Sequence, residues 1–338
     1  MSYKIKKRVM IIRAEAVPGV AETVTAADYN VRFEEPKFTP KIDFDTAKKI
    51  ATPDYGQYED VPGMRAGEIT ASFRLCPGTD INVPPNCSKA YKMGGLVEAV
   101  QGSSGVLWTD ESEGDEQTYT VLMMDVTGDG TPVGEKIVLA GCVADLDIEA
   151  AGQGKIVMGQ VKLTGKYSSC ADLNHADMVT LATMTSPDST PAYVFQNATA
   201  ASITNTFKCS KFKLAGGRTV SPLINTADPT CIDYFTITNR EPKLSINPLK
   251  QSKAAYDAMA VALAAGGETI GITMTGPTYP LLIQAINCQM LNPKEGEREG
   301  RVNWDLDFKL LRNGYEGAKV INGANVGCLF RLLQGSIE

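Results

Sequence analysis

Two stretches of this chain carry the same succession of signals in the same order, and any fold must accommodate both. In the later stretch, Asn247-Pro248 supplies a capping side chain and a first-turn proline. This predicts a helix through Lys253–Tyr256 to Ala265, stopped by Gly266-Gly267. Glu268–Met274 then alternates Ile270, Ile272 and Met274 with Thr269, Gly271 and Thr273, the period of a strand. Gly276-Pro277 and Pro280 turn the chain into a second strand, Leu281–Cys288. A charged loop, Asn292–Gly300, leads to a third, Val302–Leu311, with Trp304, Leu306 and Phe308 on one face.

The earlier stretch repeats that order. Ser88-Lys89-Ala90-Tyr91 predicts a shorter helix that runs past Gly94-Gly95 to about Val100. After an acidic loop come a strand at Thr118–Met124, a Gly128-Asp129-Gly130 turn and a strand at Lys136–Cys142. A loop ending at Gly154 then leads into Ile156–Leu163. Cys142 and Gly154 are twelve residues apart, as are Cys288 and Gly300, and Ser-Lys-Ala-Tyr is echoed by Ser252-Lys253-Ala254-Ala255-Tyr256. These landmarks predict an internal duplication.

More strand lies upstream of each helix. Glu68–Leu75 alternates, and Phe207–Leu214, Thr219–Ile224 and Ile232–Thr238 follow one another around a Gly216-Gly217 turn. The predicted fold class is mainly β: two tandem β-sandwich or barrel units, each flanked by one α-helix. The chain's 338 residues suffice for two such cores. Ser186–Pro191 is the predicted linker, dividing the chain into residues 1–185 and 186–338.

Composition narrows the function. With 43% apolar and 21% charged residues the chain is globular rather than disordered. Its longest apolar run, Ala258–Ala265, is far short of the ~20 residues of a spanning helix, so no membrane span is expected. Met1–Arg13 holds only four consecutive apolar residues, Val9–Ile12, too few for a signal-peptide core, and synthesis in a reducing cytoplasm is expected. Eight cysteines show no C-x-x-C spacing, and a single histidine, His175, argues against His-based triads and zinc sites. Asp125-x-Thr127-x-Asp129-Gly130 begins like a calcium loop, but Lys136 stands where the bidentate glutamate belongs. No phosphate loop or nucleophile elbow is present. The alternating pair Asp145 and Asp147 is expected to point from one strand face into water. No catalytic, cofactor or metal site is predicted, and so no enzyme.

Two stretches carry a family resemblance. Ile237-Thr238-Asn239-Arg240-Glu241-Pro242-Lys243-Leu244-Ser245-Ile246-Asn247-Pro248 resembles the major tail tube proteins of long, non-contractile-tailed bacteriophages, where a similar Arg-Glu-Pro stretch and Ser-Ile-Asn/Asp-Pro step precede the helix. Tyr55-Gly56-Gln57-Tyr58, followed by the Pro62-Gly63 segment and the alternating Glu68–Phe73, is similar to the same family. The resemblance implies that inner strands of neighbouring subunits join into a ring-shaped barrel, and that a duplicated member forms a trimer with pseudo-sixfold symmetry. It further implies stacking of rings into a tube in the virion tail, with tape-measure and tail-terminator proteins as partners. DNA would pass through the lumen without sequence-specific binding. No long apolar stacking arm is evident in the sequence.

The net charge of −6 belongs to the first half, which holds 18 basic and 24 acidic residues, whereas the second half is balanced. Its densest part is Asp110, Glu111, Glu113, Asp115 and Glu116. A solvated loop explains such a run on charge alone. Under the resemblance, these residues become candidates for the lumen or the seam between rings, where negative charge repels phosphate and keeps DNA mobile. Three rivals remain open: a distal ring protein of the same fold, a β-sandwich ligand-binding module such as a carbohydrate-binding domain, and an enzyme using the two carboxylates Asp145 and Asp147.

Overall fold

A computed structural model describes residues 5–45, 61–101, 105–110, 117–127, 133–184, 190–196, 199–201, 206–252, 256–263, 268–291, 293–298, 300–311, 320–321, 324–325 and 330–335. The protein is mainly β. The first half contains β1 (Ile5–Ala14), β2 (Phe33–Asp45), β3 (Val61–Arg74), α1 (Ser88–Met93), β4 (Leu96–Val100), β5 (Val106–Asp110), β6 (Tyr119–Thr127), β7 (Val133–Ala150), β8 (Met158–Asp172) and α2 (His175–Thr183). The second half begins with β9 (Thr199–Ala201), β10 (Thr206–Phe207), β11 (Cys209–Ala215), the hairpin β12 (Arg218–Ile224) and β13 (Ile232–Arg240), and β14 (Lys243–Pro248). It continues through α3 (Ala258–Leu263), β15 (Glu268–Met274), β16 (Leu281–Met290), β17 (Lys294–Arg298) and β18 (Arg301–Leu310). The short pair β19 (Val320–Ile321) and β20 (Ala324–Asn325) precedes β21 (Phe330–Gln334).

The antiparallel ladders follow one another in the same order in both halves. In the first, β1 pairs with β6, β6 with β7, β7 with β8, β8 with β3 and β3 with β2. In the second, β9 pairs with β15, β15 with β16, β16 with β18, β18 with β14 and β14 with β11. Register repeats as well. Tyr119 faces Cys142 and Val121 faces Leu139, while Glu268 faces Cys288 and Ile270 faces Ala285. Each is a bulge that sets two residues against one, Ala140 and Gly141 against Thr120, and Ile286 and Asn287 against Thr269. The residue before each cysteine is left-handed, Gly141 at φ 59° and Asn287 at φ 52°. Gly154 and Gly300 repeat the match at φ 73° and 72°.

The halves share strands and a core. β7 carries β6 along its first part, and Ile148–Ala150 at its end pairs with Leu214–Phe212 of β11. β21, at the other end of the chain, inserts between β16 and β5. These pairings cross the 185/186 division, as does the strap Tyr193–Phe195, which bonds back to Leu75 and to Lys155–Val157. One large apolar cluster accordingly runs from Met10 and Phe73 to Phe308 and Leu332. Within it Phe33, Phe73, Tyr91 and Trp108 form a chain of ring contacts at 6.1, 6.0 and 5.3 Å. Each contact adds about 1 kcal/mol to the area buried. In the second half Tyr256 meets Phe207 at 4.9 Å. The four-residue apolar run Val9–Ile12 is buried on both faces. Met10 and Ile12 enter the large cluster, whereas Val9 and Ile11 enter a smaller one under Leu181 and Met184.

Both predicted helices are corrected. Asn247-Pro248 ends strand β14, and the described helix is Ala258–Leu263; residues 253–255 and 264–267, through which the helix is expected to run and stop, lie outside the described residues. The Asn247 amide does not cap. Its Oδ1 accepts from the backbone N–H of Ser210 (3.1 Å) and Lys211 (2.8 Å), and its Nδ2 donates to Ser210 Oγ (2.8 Å), filling the bulge of β11. Asp257 Oδ1 instead accepts from the N–H groups of Met259 and Ala260 at the start of α3. Helix α1 stops at Met93 because Gly95 turns left-handed at φ 67°, and Leu96–Val100 pairs with β5 as a strand. The strands β7 and β8 outrun the alternating segments that announced them, and their ladder spans Glu135↔Asp172 to Glu149↔Met158. Most of the predicted linker, residues 186–189, lies outside the described residues.

Candidate functional site

The features that could serve assembly are the seam inside the chain and the strand edges left open around it. At the seam, the stripe Asp145-x-Asp147-x-Glu149 on β7 meets Lys213 and the turn that follows β11. Lys213 Nζ lies 3.0 Å from Asp147 and 3.9 Å from Glu149. Asp147 Oδ1 accepts from the Gly216 N–H, and Asp145 Oδ1 accepts from the Arg218 N–H, each at 3.1 Å. The turn needs Gly217, at φ 60°, because a Cβ there would sit 2.2 Å from the Glu241 carbonyl oxygen. Arg218 is buried and donates through Nη2 to the Gly95 carbonyl (3.3 Å). The expectation that Asp145 and Asp147 point into water is corrected: they accept the N–H groups of the second half's turn. Burial pushes the Asp145 carboxyl above its ordinary range, partly offset by the Arg218 N–H.

The hairpin β12–β13 adds a second layer to this seam. Its Ile232 and Phe235 pack on Ala66 and Val143 of the first half. Tyr234 crosses directly over Gly141, where a Cβ would come within 2.7 Å of the tyrosine Cβ. Lys166 on β8 holds the hairpin tip through Asp228 at 3.0 Å.

The acidic segment begins at the end of β5. Asp110 ends that strand, is only 6% exposed, and accepts the Phe330 N–H through Oδ1 (3.4 Å). Glu111, Glu113, Asp115 and Glu116 lie outside the described residues. On β5, Trp108 donates through Nε1 to Glu98 (3.1 Å), and Glu98 is paired with Lys92 at 2.8 Å. Gln334 Oε1 accepts the Gly78 N–H at 2.8 Å, tying β21 to the loop after β3.

Among the described residues, β4 beside β5, β2 beside β3 and β17 beside β18 each have a single ladder neighbour, as do β1 beside β6, β10 beside β9 and the members of the two-stranded pairs β12–β13 and β19–β20. Thr39–Asp43 on β2 and Lys294 and Glu295 on β17 are exposed. Val97, Val100, Ile42 and Val302 are large apolar side chains exposed on or next to these edges. Open edges with apolar neighbours are surfaces that pair with another chain unless blocked.

Other candidates are accounted for locally. Asp125, first in the calcium-like segment, is paired with Arg8, and Thr127–Asp129 runs out of the described residues. His175 is the first residue of α2, whose cap is Asn174 receiving the Asp177 N–H (3.0 Å). No group of three or more His, Cys, Asp or Glu among the described residues is placed to hold a metal ion. No disulfide joins the described cysteines, and burial pushes Cys288 up to about 12 and Cys142 upward as well. Lys213 and Glu149 escaped notice in the sequence. Their signal was a pair of complementary period-two charge stripes, Lys211-x-Lys213 against Asp145-x-Asp147-x-Glu149. No family model matches this sequence, and no curated protein matches it.

Proposed function

We propose that this chain is the repeated structural subunit of a bacteriophage tail tube. Three copies form a ring of six similar units, and rings stack into a tube through which DNA passes into the host. The observation that carries this reading is the same succession of ladders built twice, joined edge to edge within one chain and ending in open edges. A molecule of that kind solves its edge problem by repeating the internal seam between copies until a ring closes. The two stretches resembling tail tube proteins support the same reading.

On this reading the protein is made in the host bacterial cytoplasm, acts in the virion tail and needs neither catalysis nor a cofactor. Tape-measure and tail-terminator proteins bound the tube at its interior and its end. The acidic segment after β5 faces the lumen or the seam between rings, where it keeps the duplex from adhering. The test is the mass of the smallest assembled species in solution. A particle of three 36.3 kDa chains is expected. A chain that stays monomeric at high concentration overturns the reading, and a single ring that never stacks points to a distal ring protein.

A further inference from the structure

The seam inside the chain has a matching pair of strands, one in each half, that lack the equivalent ladder among the described residues. One row of facing residues crosses four strands of the first half: Ala144, Leu163, Ile69 and Phe38. The corresponding row of the second half is Met290, Phe308, Leu244 and Leu214. Ala144 lies two residues after Cys142, as Met290 lies two after Cys288, so the rows occupy the same place in each ladder. Phe38 is therefore the counterpart of Leu214, and Lys37 the counterpart of Lys213.

The other side of the seam matches too. Ile148 faces Gly159 and Glu149 faces Met158 in the first half, while Lys294 faces Asp305 and Glu295 faces Trp304 in the second. Glu149 stands five residues before the left-handed Gly154, and Glu295 five before the left-handed Gly300. Thus β17 is the counterpart of the end of β7. In the first half that edge is taken by β11, with Lys213 opposite Glu149. In the second half the equivalent edge has no ladder partner among the described residues.

We propose that the edge of β17 receives the β2 strand of a second copy of this chain. Lys37 of that copy lies opposite Glu295 and reproduces the Lys213–Glu149 contact between molecules. This rests on the self-assembly reading and specifies its joint. The charges are complementary, Lys37 is exposed, and Glu295 is 55% exposed and, among the described residues, paired with Lys250. Exposed Val302 beside β17 and Ile42 on β2 supply apolar surface for the same contact. The joint is head-to-tail, so its repetition gives a ring where the rotation closes and an open filament where it does not, never a two-fold dimer.

The experiment uses the full chain in three forms: Lys37→Glu, Glu295→Lys, and both together. Assembly is followed by light scattering across concentration. Each single reversal is expected to raise the concentration at half-assembly about tenfold, and the double reversal to return it to within about threefold of the unchanged protein. In parallel, zero-length carbodiimide coupling of the unchanged protein, mapped by peptide mass spectrometry, is expected to join the Lys37 and Glu295 peptides in assemblies and not in monomers. An unchanged chain that assembles without that link, while the double reversal is no better than the singles, overturns this joint alone. An unchanged chain that never assembles overturns the self-assembly reading with it.

Discussion

Gly141 and Asn287 hold the same left-handed backbone at the same bulge of two hairpins, with Gly141 buried and Asn287 half-buried. A Cβ on Gly141 would meet Tyr234 Cβ at 2.7 Å and Cα at 2.9 Å, because β13 lies across it. Gly141→Ala adds that collision to the cost of a left-handed alanine. It is expected to destabilise the protein by about 3 kcal/mol or more. Asn287→Gly keeps the conformation and should change stability by no more than about 1 kcal/mol in either direction. Denaturant midpoints measured side by side test the contrast, and equal losses at both positions would refute it.

Glu15 organises the same corner from below. Its carboxylate is 5% exposed and accepts from the Gly19 and Gly141 N–H groups and from the Thr118 and Thr120 hydroxyls, at 2.8 to 2.9 Å. Glu15→Gln turns an amide donor toward two of those four donors. A loss of about 3 kcal/mol is expected. Hydrogen exchange at Gly19 and Gly141 should accelerate with it. Unchanged exchange at both amides would show that the carboxylate does not hold the corner.

Two aspartates should give opposite pH signatures. The Thr230 hydroxyl, and after it the Thr230 N–H and Lys166, lower the Asp228 carboxyl below its ordinary range. Its contribution is therefore present above the unfolded-state value and lost as the pH falls through the folded-state value. Burial raises Asp145, so its ionisation opposes folding once the pH exceeds the unfolded-state value, and protonation relieves that cost. Asp228→Asn should destabilise at neutral pH and converge on the unchanged protein in acid. Asp145→Asn, which still offers an oxygen to the Arg218 N–H, should gain relative stability at neutral pH. Parallel stability–pH curves for both variants would contradict the assignment.

Local alternation was legible and distant pairing was not. Glu268–Met274 is a strand with the bounds its alternation announces, and Leu281–Cys288 lengthens by only two residues, because half-buried hairpins impose period two on their own sequence. The spacings Cys142–Gly154 and Cys288–Gly300 end on glycines that are both left-handed. The helix expected from Asn247-Pro248 failed because the amide's partners, Ser210 and Lys211, lie on another strand. The pairing of β5 with β21 joins the middle of the chain to its end, and nothing local in Val106–Asp110 encodes it. The seam charges were visible as stripes, but only the fold brings Lys213 to Asp147 and Glu149.

The acidic segment can be tested by reversing its charge while sparing Asp110, whose carboxylate serves the β5–β21 pairing. With Glu111, Glu113, Asp115 and Glu116 all changed to lysine, a lumen-facing segment would hold phosphate. Particles carrying the variant should then deliver DNA at least about tenfold less efficiently, more so at low salt. A seam-facing segment would instead shorten the tubes. Normal delivery together with normal tube length would place the segment on the outside.

Imaging the purified full chain by negative-stain microscopy tests the central claim most directly. Hollow tubes of stacked rings are expected, with end-on averages showing six similar lobes, alternating in pairs, around an open lumen. Uniform single particles of one chain, at concentrations where the protein remains folded, would contradict it.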